Sequence, residues 1–100
     1  MNSIGISKHA FCTIVDIISQ FDCVNSAKVF GSRAKGNYKK YSDIDICLFG
    51  KISSIDIGRI NSLLDDCSII YICDVLAYDT ISNQELKDHI DRVGITIYNK

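Results

Sequence analysis

Gly31-Ser32-Arg33-Ala34-Lys35-Gly36-Asn37-Tyr38-Lys39-Lys40-Tyr41-Ser42-Asp43-Ile44-Asp45 decides how this chain reads. It is a Gly-Ser pair, ten residues, then Asp-x-Asp. One short stretch thus sets a turn suited to phosphate beside two carboxylates suited to a cation.

The carboxylate end continues as Asp43-Ile44-Asp45-Ile46-Cys47-Leu48-Phe49, which alternates in part and predicts a strand. Successive strand side chains point to opposite faces. Asp43 and Asp45 therefore share one face, and Ile44, Ile46 and Leu48 point into a core. Two adjacent carboxylates repel each other unless a cation sits between them. Mg²⁺ takes one or two carboxylates together with substrate phosphates, and the spacing suits it. The plainer reading is a solvent-facing strand, but Asp is disfavoured in strands, so two of them need a reason.

At the glycine end, Ala27-Lys28-Val29-Phe30 is a short apolar run that stops at Gly31-Ser32. Gly31 permits a backbone conformation and a close ligand approach that other residues resist. Ser32 is a good N-cap for a short helix over residues 33–38. A helix start offers free N–H groups and a positive dipole end, which favour phosphate. Arg33 and Lys35 add positive charge, and Lys39 and Lys40 add more. Taken alone, the Gly-Ser pair also fits an ordinary strand–turn–helix with a solvated basic turn.

Together the two ends resemble the signature of the polymerase β-type nucleotidyltransferase superfamily. Gly-Ser-Arg-Ala-Lys-Gly followed by Ser-Asp-Ile-Asp is most similar to its minimal members. Those are small single-domain proteins, typically encoded beside a HEPN-domain protein in pairs resembling toxin–antitoxin systems. The resemblance implies a third carboxylate on a neighbouring strand. Ser68-Ile69-Ile70-Tyr71-Ile72-Cys73-Asp74-Val75-Leu76 is a continuous apolar run with one acid in it. A lone Asp in such a strand is expensive without a partner, so Asp74 is the candidate. Asp79, in the following loop, is the alternative if the register differs.

The rest of the chain fits one α/β (α+β) domain over residues 1–100, a small mixed sheet with helices packed on one face. Ser7 caps a helix running to about Phe21, with Phe11, Ile14, Val15, Ile17 and Ile18 on its apolar side. Residues 54–66 predict a second helix, with Ile57, Ile60, Leu63 and Leu64 inward. Ser82-Asn83-Gln84-Glu85 is a capping box for a third helix to about Val93. Gly94 ends that helix, and Ile95-Thr96-Ile97-Tyr98 predicts a last short strand or extended tail. There is no proline, repeat or low-complexity segment. No apolar run is long enough for a membrane span, and the N-terminus lacks a signal-peptide pattern.

Five cysteines without a C-x-x-C pair argue against a disulfide framework or a zinc site. They fit a reducing cytoplasm and read mostly as small buried residues. His9 and His89 lack metal-ligand spacing and read as surface or packing residues. A formal net charge of −1 gives no general affinity for extended nucleic acid. The basic cluster is local and suits one triphosphate.

By the resemblance, Asp43, Asp45 and Asp74 hold two Mg²⁺ ions and act in catalysis, with Asp74 helping to deprotonate the acceptor. Gly31, Ser32, Arg33 and Lys35 bind the nucleotide, for which ATP is the family expectation. Little sequence remains to build an acceptor site, so another macromolecule is expected to present it. The resemblance makes that partner a HEPN ribonuclease toxin, bound as a hetero-oligomer and modified with AMP on tyrosine. Two alternatives stand beside this: an antitoxin that acts by contact alone, and transfer to a small molecule or RNA. Tyr38 and Tyr41, beside the motif, are possible acceptors within the chain itself.

Overall fold

The strand expected after Asp43 forms as β2 (Ile44–Phe49), and the sheet is built around it. The structure is a computed structural model that describes residues 4–40 and 42–100. Its elements run α1 (Lys8–Ser19), β1 (Ser26–Phe30), α2 (Ser32–Lys35), β2, α3 (Ser54–Asp66), β3 (Cys73–Ala77), a 3₁₀ turn (Tyr78–Thr80), α4 (Gln84–Val93) and β4 (Ile95–Asn99).

The four strands lie in the order β3-β2-β1-β4. β1 is antiparallel to both β2 and β4, and β2 is parallel to β3. A parallel pair needs a crossover connection, and α3 supplies it. The sheet is therefore mixed, as the alternation of apolar strands and amphipathic helices implied.

One face of the sheet carries Ala27, Val29, Ile44, Ile46 and Leu48, all fully buried. Ile14 and Ile18 of α1 and Ile60 and Leu64 of α3 close over them. Each fully buried Ile or Leu contributes about 1.5–3 kcal/mol, so this layer holds the fold together. Ser7 caps α1 by accepting from the Ala10 amide, and Ser53 caps α3 by accepting from the Asp56 amide.

α4 lies on the opposite face, so the helices are not all on one side. Its Ile90 packs with Phe30 and Cys47 in a second, smaller cluster. Register explains the division: Phe30 pairs with Asp45, and Lys28 with Cys47, on the face away from Ile46.

Several boundaries differ from expectation. The apolar run 68–76 is a strand only from Cys73, where pairing with Ile44 begins, and the Ile72 carbonyl accepts from the Ile44 amide. Residues before Cys73 have no strand opposite them, and Ile70 and Ile72 stand exposed. α1 ends at Ser19, although Phe21 is still buried. Leu63 is 40 % exposed, because Ile60 and Leu64 fill the inward stripe of α3. Asn83, not Ser82, caps α4 by accepting from the Leu86 amide. The short helix is α2 alone, closed after one turn by Gly36 in the left-handed region (φ 85°).

Candidate functional site

The second face of the sheet brings the acids together. Asp45 is the register partner of Asp74 on β3, and Phe30 flanks it on β1. Register partners point to the same face, so the two carboxylates stand side by side across the β2–β3 pair. Asp43 precedes β2 by one residue and belongs to the same group. Asp79 is separate: it sits on the 3₁₀ turn beyond the other end of β3.

The carboxyl of Asp45 is held above the usual carboxylate range. Burial contributes most, then the negative charges of Asp74 and Asp43, and His89 opposes them. The acids therefore form a site with uncompensated negative charge. Among the described residues, no three or more His, Cys, Asp or Glu side chains stand close enough together to hold a metal ion. The donor set, all hard oxygen, nonetheless fits Mg²⁺.

Gly31 meets this cluster from β1. It adopts φ 72°, and a Cβ at its position would stand 2.5 Å from Oδ2 of Asp45. Both facts require glycine: the left-handed backbone disfavours L side chains, and the carboxylate occupies the space a methyl would need. Gly31 is itself the N-cap of α2, without a side-chain cap bond. Ser32 is the first helical residue rather than the cap, and the turn is shaped by the glycine.

Arg33 does not face the acids. It is fully buried, and its guanidinium donates to the carbonyls of Ile4, Gly5, Lys40 and Ser42 at 3.0–3.3 Å. The Tyr38 and Tyr71 rings flank it, with centroids 4.6 and 5.0 Å from its central carbon. Five N–H donors in a planar fork are thereby committed to backbone oxygens. Arg33 ties the segment before α1 to the loop leading into Asp43, and its reading as a phosphate ligand gives way to this role. Lys35 ends α2 and is exposed. Tyr38 packs against Gly5 and Arg33, and Tyr41 lies outside the described residues.

His89 is the residue that sequence reasoning missed. Its Nε2 accepts the backbone N–H of Gly31 at 3.1 Å, and its ring meets Phe30 edge-on at 6.2 Å between centroids. The only sequence signal was a histidine beside Ile90 on the apolar side of α4. His9 is a surface residue whose ring bonds to the Ser68 hydroxyl. All five cysteines are free: Cys12 is exposed, Cys47 and Cys73 are buried, and Cys23 and Cys67 are intermediate.

Comparison with known proteins identifies the family and the fold. The family model "Polymerase beta, Nucleotidyltransferase" matches residues 13–100. No curated protein matches significantly. Among solved structures, the chain superposes on one from a toxin–antitoxin complex with AMP-PNP, with TM-score 0.70 and 18% identity, covering 90% of this chain and 73% of that one. It is likewise similar to a chain from the tri-AMPylated Shewanella oneidensis HEPN toxin in complex with MNT antitoxin. There the TM-score is 0.72 at 13% identity, covering 95% and 74%. A putative nucleotidyltransferase from Sulfolobus solfataricus gives 0.54 at 20% identity, covering 96% and 92%. At such identities the likeness is one of fold, whereas the family model runs from within α1 to Lys100. The chain therefore belongs to the polymerase β nucleotidyltransferase family.

Proposed function

We propose that this chain transfers AMP from ATP to a tyrosine hydroxyl of a cognate HEPN ribonuclease toxin, and so acts as its antitoxin. The observation that carries the reading is the contact of Gly31 with Asp45. A glycine turn with no room for a side chain abuts a carboxylate aligned with a second on the next strand. That is how a triphosphate's tail and its reacting phosphorus are held by one protein surface. The AMP-PNP complex and the AMPylated toxin complex among the similar structures support the nucleotide and the acceptor class.

In this reading the Gly31-Ser32 turn binds the terminal phosphates, with Lys35 adding charge nearby. Asp43, Asp45 and Asp74 hold two Mg²⁺ ions, which when bound neutralise phosphate charge and polarise the α-phosphate. Asp74 is exposed on β3, the edge strand of the sheet among the described residues, which leaves it open to an incoming hydroxyl. Its carboxylate takes the acceptor proton as the new O–P bond forms and the bond to the leaving pyrophosphate breaks. Catalysis rests on alignment and fixed charge. The acceptor comes from a bound partner, which makes the working form a hetero-oligomer.

Co-expression with the partner tests the antitoxin role. The wild type restores growth, and the Asp43→Ala/Asp45→Ala variant, still bound to the toxin, does not. Full rescue by that variant would mean neutralisation by contact alone.

A further inference from the structure

The hydrogen bond from Gly31 to His89 occupies a backbone donor of the turn proposed to bind phosphate. A backbone amide carries one hydrogen. Here it points at Nε2 of His89, 3.1 Å away, across 58 residues of chain. To accept it, Nε2 must turn its lone pair toward the Gly31 amide. The ring is half-buried. Phe30 packs against it edge-on, and the next residue of α4, Ile90, is fully buried against Phe30 and Cys47. The contact is thus a built feature of the α4–β1 packing.

We propose that His89 is an internal competitor for nucleotide: it holds the Gly31 N–H in the free protein and must release it before a phosphate oxygen binds at the turn. The inference rests on the reading of this turn as a triphosphate site. One donor cannot serve a lone pair of imidazole and a phosphate oxygen at full strength together. Binding therefore exchanges one acceptor for the other, and the exchange reports occupancy of the turn to α4. His89 acts here as a positioning residue through Gly31.

Two measurements test this, using the full chain. The first is the scalar coupling through the hydrogen bond between the Gly31 amide nitrogen and His89 Nε2, read by NMR. It is expected in the free protein and lost on saturation with AMP-PNP and Mg²⁺. The second is AMP-PNP affinity by calorimetry. His89→Phe keeps ring volume against Phe30 and removes the acceptor. It should bind about 2- to 10-fold tighter, the equivalent of one net hydrogen bond. His89→Gln, which restores an acceptor, should return toward wild-type affinity. Coupling that persists in the saturated complex overturns the proposal, as does His89→Phe binding equal to or weaker than wild type. If wild-type protein binds no AMP-PNP while the coupling is present, the nucleotide reading itself fails and takes the competition with it.

Discussion

Replacing Arg33 separates a phosphate ligand from a structural tie, because the two roles move different quantities. Among the described residues Arg33 is the one fully buried charged side chain. It makes five N–H···O contacts to four carbonyls and sits between two tyrosine rings. A net contribution of about 1 kcal/mol for each such bond is offset in part by the cost of burying the cation. Truncation also strands the carbonyl acceptors. Arg33→Ala is therefore expected to cost about 3–5 kcal/mol, at the upper end for a single substitution. A domain of this size has a stability of about 5–15 kcal/mol, so the variant stands near the edge of folding. Arg33→Lys is the more informative change. An ammonium carries three donors and no planar fork. At least two of the five contacts go, which costs about 2 kcal/mol and lowers Tm by about 10 °C. Urea unfolding of both variants, with the slope compared to wild type, measures this. An unchanged midpoint for Arg33→Lys, joined to a raised KM for nucleotide, would refute the structural role.

Gly31→Ala should cost about 1–2 kcal/mol in backbone strain alone, and its methyl would push Asp45 aside, so nucleotide binding by calorimetry should disappear while the fold survives. Asp45→Asn should stabilise the metal-free protein at neutral pH. The folded carboxyl is raised above its ordinary value of 3.8, so its ionised form is penalised by folding, fully so above the folded pKa. The gain should shrink as pH falls through that pKa and vanish below 3.8, as followed by denaturation across pH. Burial pushes the Cys47 and Cys73 thiols up to about 12. At pH 8 both should stay silent to a thiol reagent in native protein while exposed Cys12 reacts, and all five should react in urea.

What was legible in the sequence follows a physical line. Period and capping are local, so α3 was read with its observed bounds and Ser7 with its capping role. Ile44, Ile46 and Leu48 are buried as their alternation required. The one-residue error at Asn83 arose because Ser82 and Asn83 are equally good caps, and only packing of Leu86 and Ile90 chooses between them. The overlong strand 68–76 arose because apolar runs do not reveal where the partner strand begins. Arg33 was misplaced for a similar reason: Lys35, Lys39 and Lys40 nearby are basic and exposed, whereas its guanidinium is held by the carbonyls of Ile4, Gly5, Lys40 and Ser42. The contact of His89 with Gly31 was invisible because it exists only once α4 is folded against β1. That Asp45 and Asp74 share a face, by contrast, follows from two strands whose apolar faces must both meet the core, and strand pairing then sets them opposite each other.

The most direct test of nucleotidyl transfer is intact mass spectrometry of the cognate HEPN partner. It is incubated with this protein, Mg²⁺ and each of the four nucleoside triphosphates, with Asp43→Ala/Asp45→Ala as the control. A gain of one or more AMP units with ATP, absent in the variant, is the predicted result. No mass gain with any nucleotide, despite a stable complex and an intact fold, would contradict it.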